Sequence, residues 1–276
     1  MNLTMPVFML LFFVILLIST AMYLYLSWKT RMNKKFLYID NLIVIIVSFL
    51  LSLIAFSYLS SSIPKIERFF LSLFIGGLAV ITFGYLLTML RFWRTPKRKL
   101  TAKANEIVSP ADGNVIYIKR IDANEIPISI KNGQLNELRE LTKTSLLQTP
   151  CWLIGINMTP WDVHKNCSPI KGKIILNEHT KGVFLSLKKF DALTLNERNT
   201  YVIENEHLKL GVIQIASKGV RRIDSYVKEG DNVEKGSWLG MIRFGSQVDL
   251  VLPINVKIQI TLGQQVYAVK TIVASL

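Results

Sequence analysis

The chain has 276 residues, half of them hydrophobic, and its 33 Lys and Arg against 19 Asp and Glu give a formal net charge of +14. Such an apolar chain, with a mean hydropathy of +0.35, is not disordered, and its two cysteines are too few for a disulfide framework or a zinc site of their own. The positive charge suits a nucleic acid or an anionic membrane surface. With no zinc-finger spacing, helix-turn-helix pattern or aromatic RNA-binding motif, the membrane surface is the better match.

The apolar residues concentrate in the first ninety positions, in runs at 6–26, 42–59 and 69–90. Each is long enough, or nearly so, to cross a hydrocarbon core of about 30 Å as a helix. Asp40 and Asn41 stand at the entrance of the middle run, which suits a helix that starts at the interface. The first run lacks a basic residue before it and a small-residue cleavage site after it, so it reads as an anchor rather than a signal peptide. Lys29, Arg31, Lys34 and Lys35 fill the first connection, whereas Lys65 and Arg68 share the second with Glu67. Arg91, Arg94, Lys97, Arg98, Lys99 and Lys103 follow the third run. The positive-inside rule then puts the N-terminus outside and everything after the third helix in the cytoplasm. Residues 1–95 are therefore expected to be a multi-pass anchor in the cell membrane, with the basic cluster against anionic lipid.

From residue 96 to 276 the pattern changes to short runs rich in Val and Ile at 114–118, 153–158, 208–216 and 256–262, which read as strands. The stretch from Val227 to Gly240, with Gly230, Gly236 and Gly240 among polar residues, has the pattern of flattened biotinyl/lipoyl-type barrels. A mainly β domain, barrel or sandwich, with short helices is the expected fold. Leu135, Leu138, Leu141, Leu146 and Leu147 suggest one amphipathic helix over 134–147, either packed or lying on the membrane.

Gly245 before Ser246 gives the backbone room for the serine hydroxyl to approach the preceding carbonyl. An N-to-O acyl shift there, followed by β-elimination and loss of ammonia, would cut the chain between 245 and 246. The new N-terminus would be a pyruvoyl group. Three further segments stand upstream: Val108-Ser109-Pro110-Ala111-Asp112-Gly113, Met158-Thr159-Pro160-Trp161-Asp162-Val163-His164, and Leu195-Asn196-Glu197-Arg198-Asn199. Together with Phe244-Gly245-Ser246 they resemble, in order and spacing, the signatures of phosphatidylserine decarboxylases, above all the shorter bacterial and archaeal branch. The likeness runs from about residue 105 to the end.

That resemblance implies a self-processed lyase converting phosphatidylserine to phosphatidylethanolamine and carbon dioxide, or acting on another serine-headed lipid such as archaetidylserine. The covalent pyruvoyl group at position 246 would serve as electron sink, with no metal. It implies acid/base work for His164, whose imidazole titrates near working pH, and an orienting or charge-stabilising role for Asp112 beside it. Arg198, with Asn196, is a candidate for the lipid phosphate or the substrate carboxylate, as are Arg221 and Arg222. The two processed chains are expected to stay associated through a shared barrel. One departure stands out, because Cys167 occupies the place where longer members carry a second histidine. A Cys-His nucleophile from Cys167 and His164, three residues apart, is geometrically unpromising, and Gly245-Ser246-Gln247-Val248 lacks the second glycine of a hydrolase elbow. A non-catalytic lipoyl-like membrane adaptor is the competing class, for the carrier lysine is missing from Arg243–Gln247.

Overall fold

The computed structural model describes residues 4–30, 32–59, 63–122, 130–131, 134–135, 145–183, 185–186, 195–217, 222–243 and 246–276. The chain divides into two compact units, 1–92 and 93–276.

The first unit holds α1 (Thr4–Thr30), α2 (Lys34–Tyr58) and α3 (Lys65–Trp93). All three are long and apolar enough to cross a membrane, which makes this a membrane protein. The expected start of the second span is corrected: α2 begins at Lys34, eight residues before 42, so Asp40 and Asn41 lie inside the helix. Asn33 caps it, its side chain accepting from the Lys35 N–H at 2.9 Å. The two polar residues are tolerated there because other helices answer them. Asp40 is fully buried and paired with Arg91 of α3 at 2.8 Å, while Asn41 accepts from Ser19 and donates to Thr20 of α1 at 2.6 and 3.2 Å. Small residues let the helices approach. A Cβ on Gly76 would lie 2.8 Å from Ile15 Cδ1 and 3.2 Å from Ser52 Cβ, and Ser52 donates to the Ser72 carbonyl at 2.8 Å.

The second unit is mainly β, a half-barrel built on one large sheet. In chain order its strands are β1 (Glu106–Val108), β2 (Gly113–Ile121), β3 (Ile130–Lys131), β4 (Gln134–Leu135), β5 (Cys151–Met158), β6 (Lys165–Cys167), β7 (Gly172–Thr180) and β8 (Arg198–Glu204). They continue with β9 (Lys209–Ala216), β10 (Arg222–Ser225), β11 (Asn232–Val233), β12 (Trp238–Arg243), β13 (Ser246–Pro253), β14 (Lys257–Ile258), β15 (Gln265–Val266) and β16 (Ile272–Ser275). The main sheet runs β11-β7-β8-β9-β13-β5-β2-β15, and smaller sheets run β10-β12-β6 and β1-β16-β14. Period-two alternation sorts β13 between two apolar layers. Val248, Leu250 and Leu252 join Ile154, Ile156, Val212, Leu239 and Ile242 in the larger core, whereas Val251 joins Leu153, Ile213 and Ile215 on the opposite face.

Gly230 and Gly236 adopt φ of +92° and +86°, as tight turns between short strands demand. The strands they separate pair elsewhere, β11 with β7 and β12 with β10 and β6, so these turns pass the chain between sheets. The expected strand over 256–262 shrinks to Lys257–Ile258, because the Thr261–Gln264 turn, with Gly263 at φ +80°, ends the extended run. The helix expected over 134–147 falls mostly on 136–144, outside the described residues; Gln134–Leu135 pairs with β3 instead, and Leu147 is buried beside Gly211.

Candidate active site

Ser246 is the first residue of β13, a strand held on both sides. Its register partners are Met158 on β5 and Ala216 on β9. Gly245 and Phe244 lie outside the described residues, and so does Arg221.

The direction of the Ser246 backbone follows from its neighbours. Ala216 N–H donates to the Glu197 carbonyl at 2.9 Å, and the Ala216 carbonyl accepts from Asn196 Nδ2 at 2.7 Å, so both main-chain groups of Ala216 face β8. In an antiparallel ladder, pairs alternate between hydrogen-bonded and non-hydrogen-bonded. Ala216 and Ser246 are thus the second kind, and the N–H and C=O of Ser246 turn to Met158.

The Met158-to-His164 segment follows directly. Asp162 closes a turn by accepting from the Thr159 N–H and hydroxyl at 2.8 and 2.7 Å, with Gln265 at 3.2 Å. Burial raises the Asp162 carboxyl above its usual range, and the nearby Asp112 charge adds to the rise. His164 is fully buried, with Nδ1 3.0 Å from the Asp162 carbonyl. A carbonyl only accepts, so Nδ1 carries the hydrogen and Nε2 keeps its lone pair. Burial pushes the imidazole pKa down to about 4, the Asp162 carbonyl opposing the fall and the Arg94 charge adding to it. His164 is neutral at pH 7.

Asp112 and His164 meet differently from the triad-like expectation. The Asp112 carboxylate is taken by Arg98, whose Nη2 donates at 2.6 Å, and by the N–H groups of Ala268 and Val163 at 2.8 and 3.4 Å. The Asp162 carbonyl orients the ring, and Asp112 holds the peptide just before it. Cys167 lies on β6, three residues after His164. It is fully buried, its thiol donates to the Ser109 carbonyl at 3.3 Å, and burial lifts its pKa to about 12. Gln214 and Asn166, both buried, bond at 2.8 Å across the larger core, and Asn166 reaches Met158 Sδ at 3.7 Å.

The polar third motif is turned inward. Asn196 spans Leu185 N and O and the Ala216 carbonyl at 2.7–2.8 Å, a backbone clamp beside Ser246. Arg198 is 1 % exposed, deep in the sheet. Arg222 is exposed and paired with Asp224 at 2.6 Å. On the face of β13 opposite the larger core, Gln247 donates to Tyr117 Oη and Asp249 Oδ1, and Tyr117 donates to Asp249 Oδ2, all at 2.6–2.7 Å. Burial lifts the Asp249 pKa to about 6. The sequence reading passed over this trio, although two polar residues at i and i+2 in an apolar central strand are a visible signal.

The chain thus joins three helices long and apolar enough to cross a membrane to a mainly β unit in which Ser246 heads a central strand and His164 is buried. A model of the family described as phosphatidylserine decarboxylase matches residues 86–274. A protein of Methanocaldococcus jannaschii named as an archaetidylserine decarboxylase proenzyme is 37% identical over 196 residues, covering 71% of this chain and 93% of that protein. One of Methanothermobacter thermautotrophicus with the same name is 35% identical over 205 residues, covering 72% and 85%. The chain belongs to the phosphatidylserine decarboxylase family, and it is an enzyme of that decarboxylase type.

Proposed function

We propose that this is a membrane-bound decarboxylase of a serine-headed phospholipid, activated by cleavage between Gly245 and Ser246 to leave a pyruvoyl group at 246. The observation that carries the reading is the position of Ser246, first in a strand whose next seven residues are paired with β5 while its own main chain turns to Met158. The residues present fit the group: its precursor serine is in place, and the carbonyl of residue 246 faces a main-chain N–H. When formed, the group supplies an electron sink for the pair left by the departing carboxylate. His164, neutral and with its hydrogen on Nδ1, is suited to take the serine proton at Nε2 during processing and to return a proton during turnover. Asp112 fixes the peptide before it, and Asn196 fixes the Ala216 side of β13. Because β13 is paired with β5 along its length and with β9 from Ser246 to Val251, the smaller product chain stays in the sheet after the cut.

The head group defines the chemistry, and the glycerol backbone is a separate choice. Both relatives are named for archaetidylserine, which favours an ether-linked lipid over phosphatidylserine. The charge pattern of the connections supports a β unit on the cytoplasmic side; digestion of that unit by protease added outside sealed right-side-out vesicles would refute it.

Intact masses of the purified protein and of Ser246→Ala test the main reading. Two associated chains split at 245/246, the smaller with a ketone in place of its amine, and an uncut variant are expected. A single unmodified wild-type chain overturns it. Carbon dioxide release from diacyl and dialkyl serine lipids then ranks the two backbones.

A further inference from the structure

The basic run after the third helix divides by parity. Exposure alternates along the chain from 93 to 99, with Arg94, Pro96 and Arg98 turned inward and Trp93, Thr95, Lys97 and Lys99 outward. Helix α3 stops at Trp93, and Pro96 keeps Thr95 out of helical geometry, so the segment leaves extended. An extended chain sends alternate side chains to opposite sides. Within 93–99, what reads in the sequence as part of one lipid-facing patch is thus two lysines facing out and two arginines facing in.

Arg98 reaches the site. Its guanidinium forks onto both carboxylate oxygens of Asp112 and donates to the Ala268 carbonyl at 2.7 Å. The Ala268 N–H returns to Asp112 at 2.8 Å, so one residue's main chain grips both partners. Ala268 is presented in this way beside Val269, which sits at φ +69°, a conformation a β-branched residue rarely adopts. An observed outlier of this kind marks a place that the surrounding structure over-determines. Asp112 in turn holds the Val163 N–H, one residue before His164. The Arg98 side chain is only 8% exposed, and Cys167 packs in the same region, beside Ala268.

We propose that Arg98, from the segment joining the membrane helices to the β unit, is a positioning residue of the active site, acting through Asp112 on the peptide that carries His164. The role rests on the processing reading above. It takes Arg98 away from the lipid surface and gives Asp112 its permanent cationic partner. A planar fork satisfies two carboxylate oxygens and a carbonyl together, which a lysine ammonium at the same place does not reproduce.

The test uses the full-length protein in detergent: wild type, Ser246→Ala, Arg98→Ala, Arg98→Lys and the outward-facing Lys97→Gln, each followed by intact mass over time and by thermal melting. Wild type and Lys97→Gln are expected to cut at the same rate. Arg98→Lys is expected to be slowed at least tenfold while melting close to wild type. Arg98→Ala is expected to be slower still and to regain cleavage when guanidinium is added well below denaturing concentration. Cleavage of both Arg98 variants at the wild-type rate overturns the proposal, as does slowing that tracks lost melting temperature and ignores guanidinium. An uncut wild-type chain instead refutes the processing reading itself, so the two failures are distinguishable.

Discussion

Each unit of this protein buries one aspartate against one arginine, and the two pairs are seven residues apart on the arginine side. In the membrane unit Arg91 meets Asp40 while keeping 31% of its side chain exposed and lying over the Phe36 ring. In the β unit Arg98 meets Asp112 with 8% exposed, and main-chain groups from two further segments complete the carboxylate. The first pair joins two helices. The second locks the 93–99 segment, the 110–113 turn, the His164 segment and the 268 loop into one geometry. Similar chemistry thus serves adhesion in one place and precision in the other, and the number of segments that converge on the carboxylate separates the two.

The largest expected effect follows from removing each carboxylate. Asp112→Asn strands a buried guanidinium, and breaking such a pair costs about 3–5 kcal/mol, so the β unit should melt far earlier and self-cleavage should stop. Asp40→Asn leaves Arg91 partly solvated and should cost about 1 kcal/mol, with cleavage unchanged. Melting curves and intact masses of both variants decide the matter. Equal loss of cleavage in Asp40→Asn would break the distinction.

A smaller effect is expected from steric crowding behind β13. A Cβ on Gly155 would lie 2.4 Å from the Tyr117 ring, so Gly155→Ala must expel the ring that binds Gln247 and Asp249. Overpacking of this kind costs about 1–3 kcal/mol. Slower cleavage in this variant, together with lower stability, would show that the layer behind Ser246 supports it; an unchanged melting temperature would refute the contact.

The pH behaviour of two of the buried titratable groups, His164 and Asp249, provides an opposed pair of slopes. The His164 pKa falls to about 4 in the fold from 6.5, so as pH drops from 6.5 toward 4 the unfolded chain takes a proton that the native one refuses, and stability falls. The Asp249 pKa rises to about 6 from 3.8, so as pH rises from 3.8 toward 6 the unfolded chain loses its proton first, and stability falls in that direction. On a Ser246→Ala background, the stability advantage of His164 over His164→Gln should grow from pH 4 to 6.5. The advantage of Asp249 over Asp249→Asn should shrink from pH 4 to 6. Melting both series across that range checks the signs. In the wild type, self-cleavage should hold its rate down to about pH 5, because the base remains neutral there; a fall centred near 6.5 would show that His164 is solvated or is not the base.

Much of this was legible before any coordinates. The three long apolar helices follow from hydropathy, the mainly β unit from short runs rich in Val and Ile, and the family from the signatures around Ser246 and His164. What escaped was whatever depended on a partner distant in sequence. The partner of Asp40, Arg91, is 51 positions away. The Ala216 carbonyl that accepts from Asn196 becomes visible only when β8 and β9 pair. Arg98 looked like one more topology charge because parity within a basic run carries no label until the chain is extended against a surface. Gln247 and Asp249 were overlooked beside the serine they follow, although their period-two spacing was present.

The smallest effect concerns Cys167, the residue that departs from the longer family pattern. Its thiol, with burial holding the pKa at about 12, carries no thiolate at neutral pH and is closed to solvent. It behaves as a small apolar side chain with one weak bond to Ser109. Cys167→Ala should therefore cost about 1 kcal/mol and leave cleavage within twofold of wild type. A thiol reagent should label this position in native protein no faster than the chain unfolds. Loss of processing in the alanine variant with stability intact would mean that the thiol does share the proton work, and His164 would no longer suffice as the single base of the site.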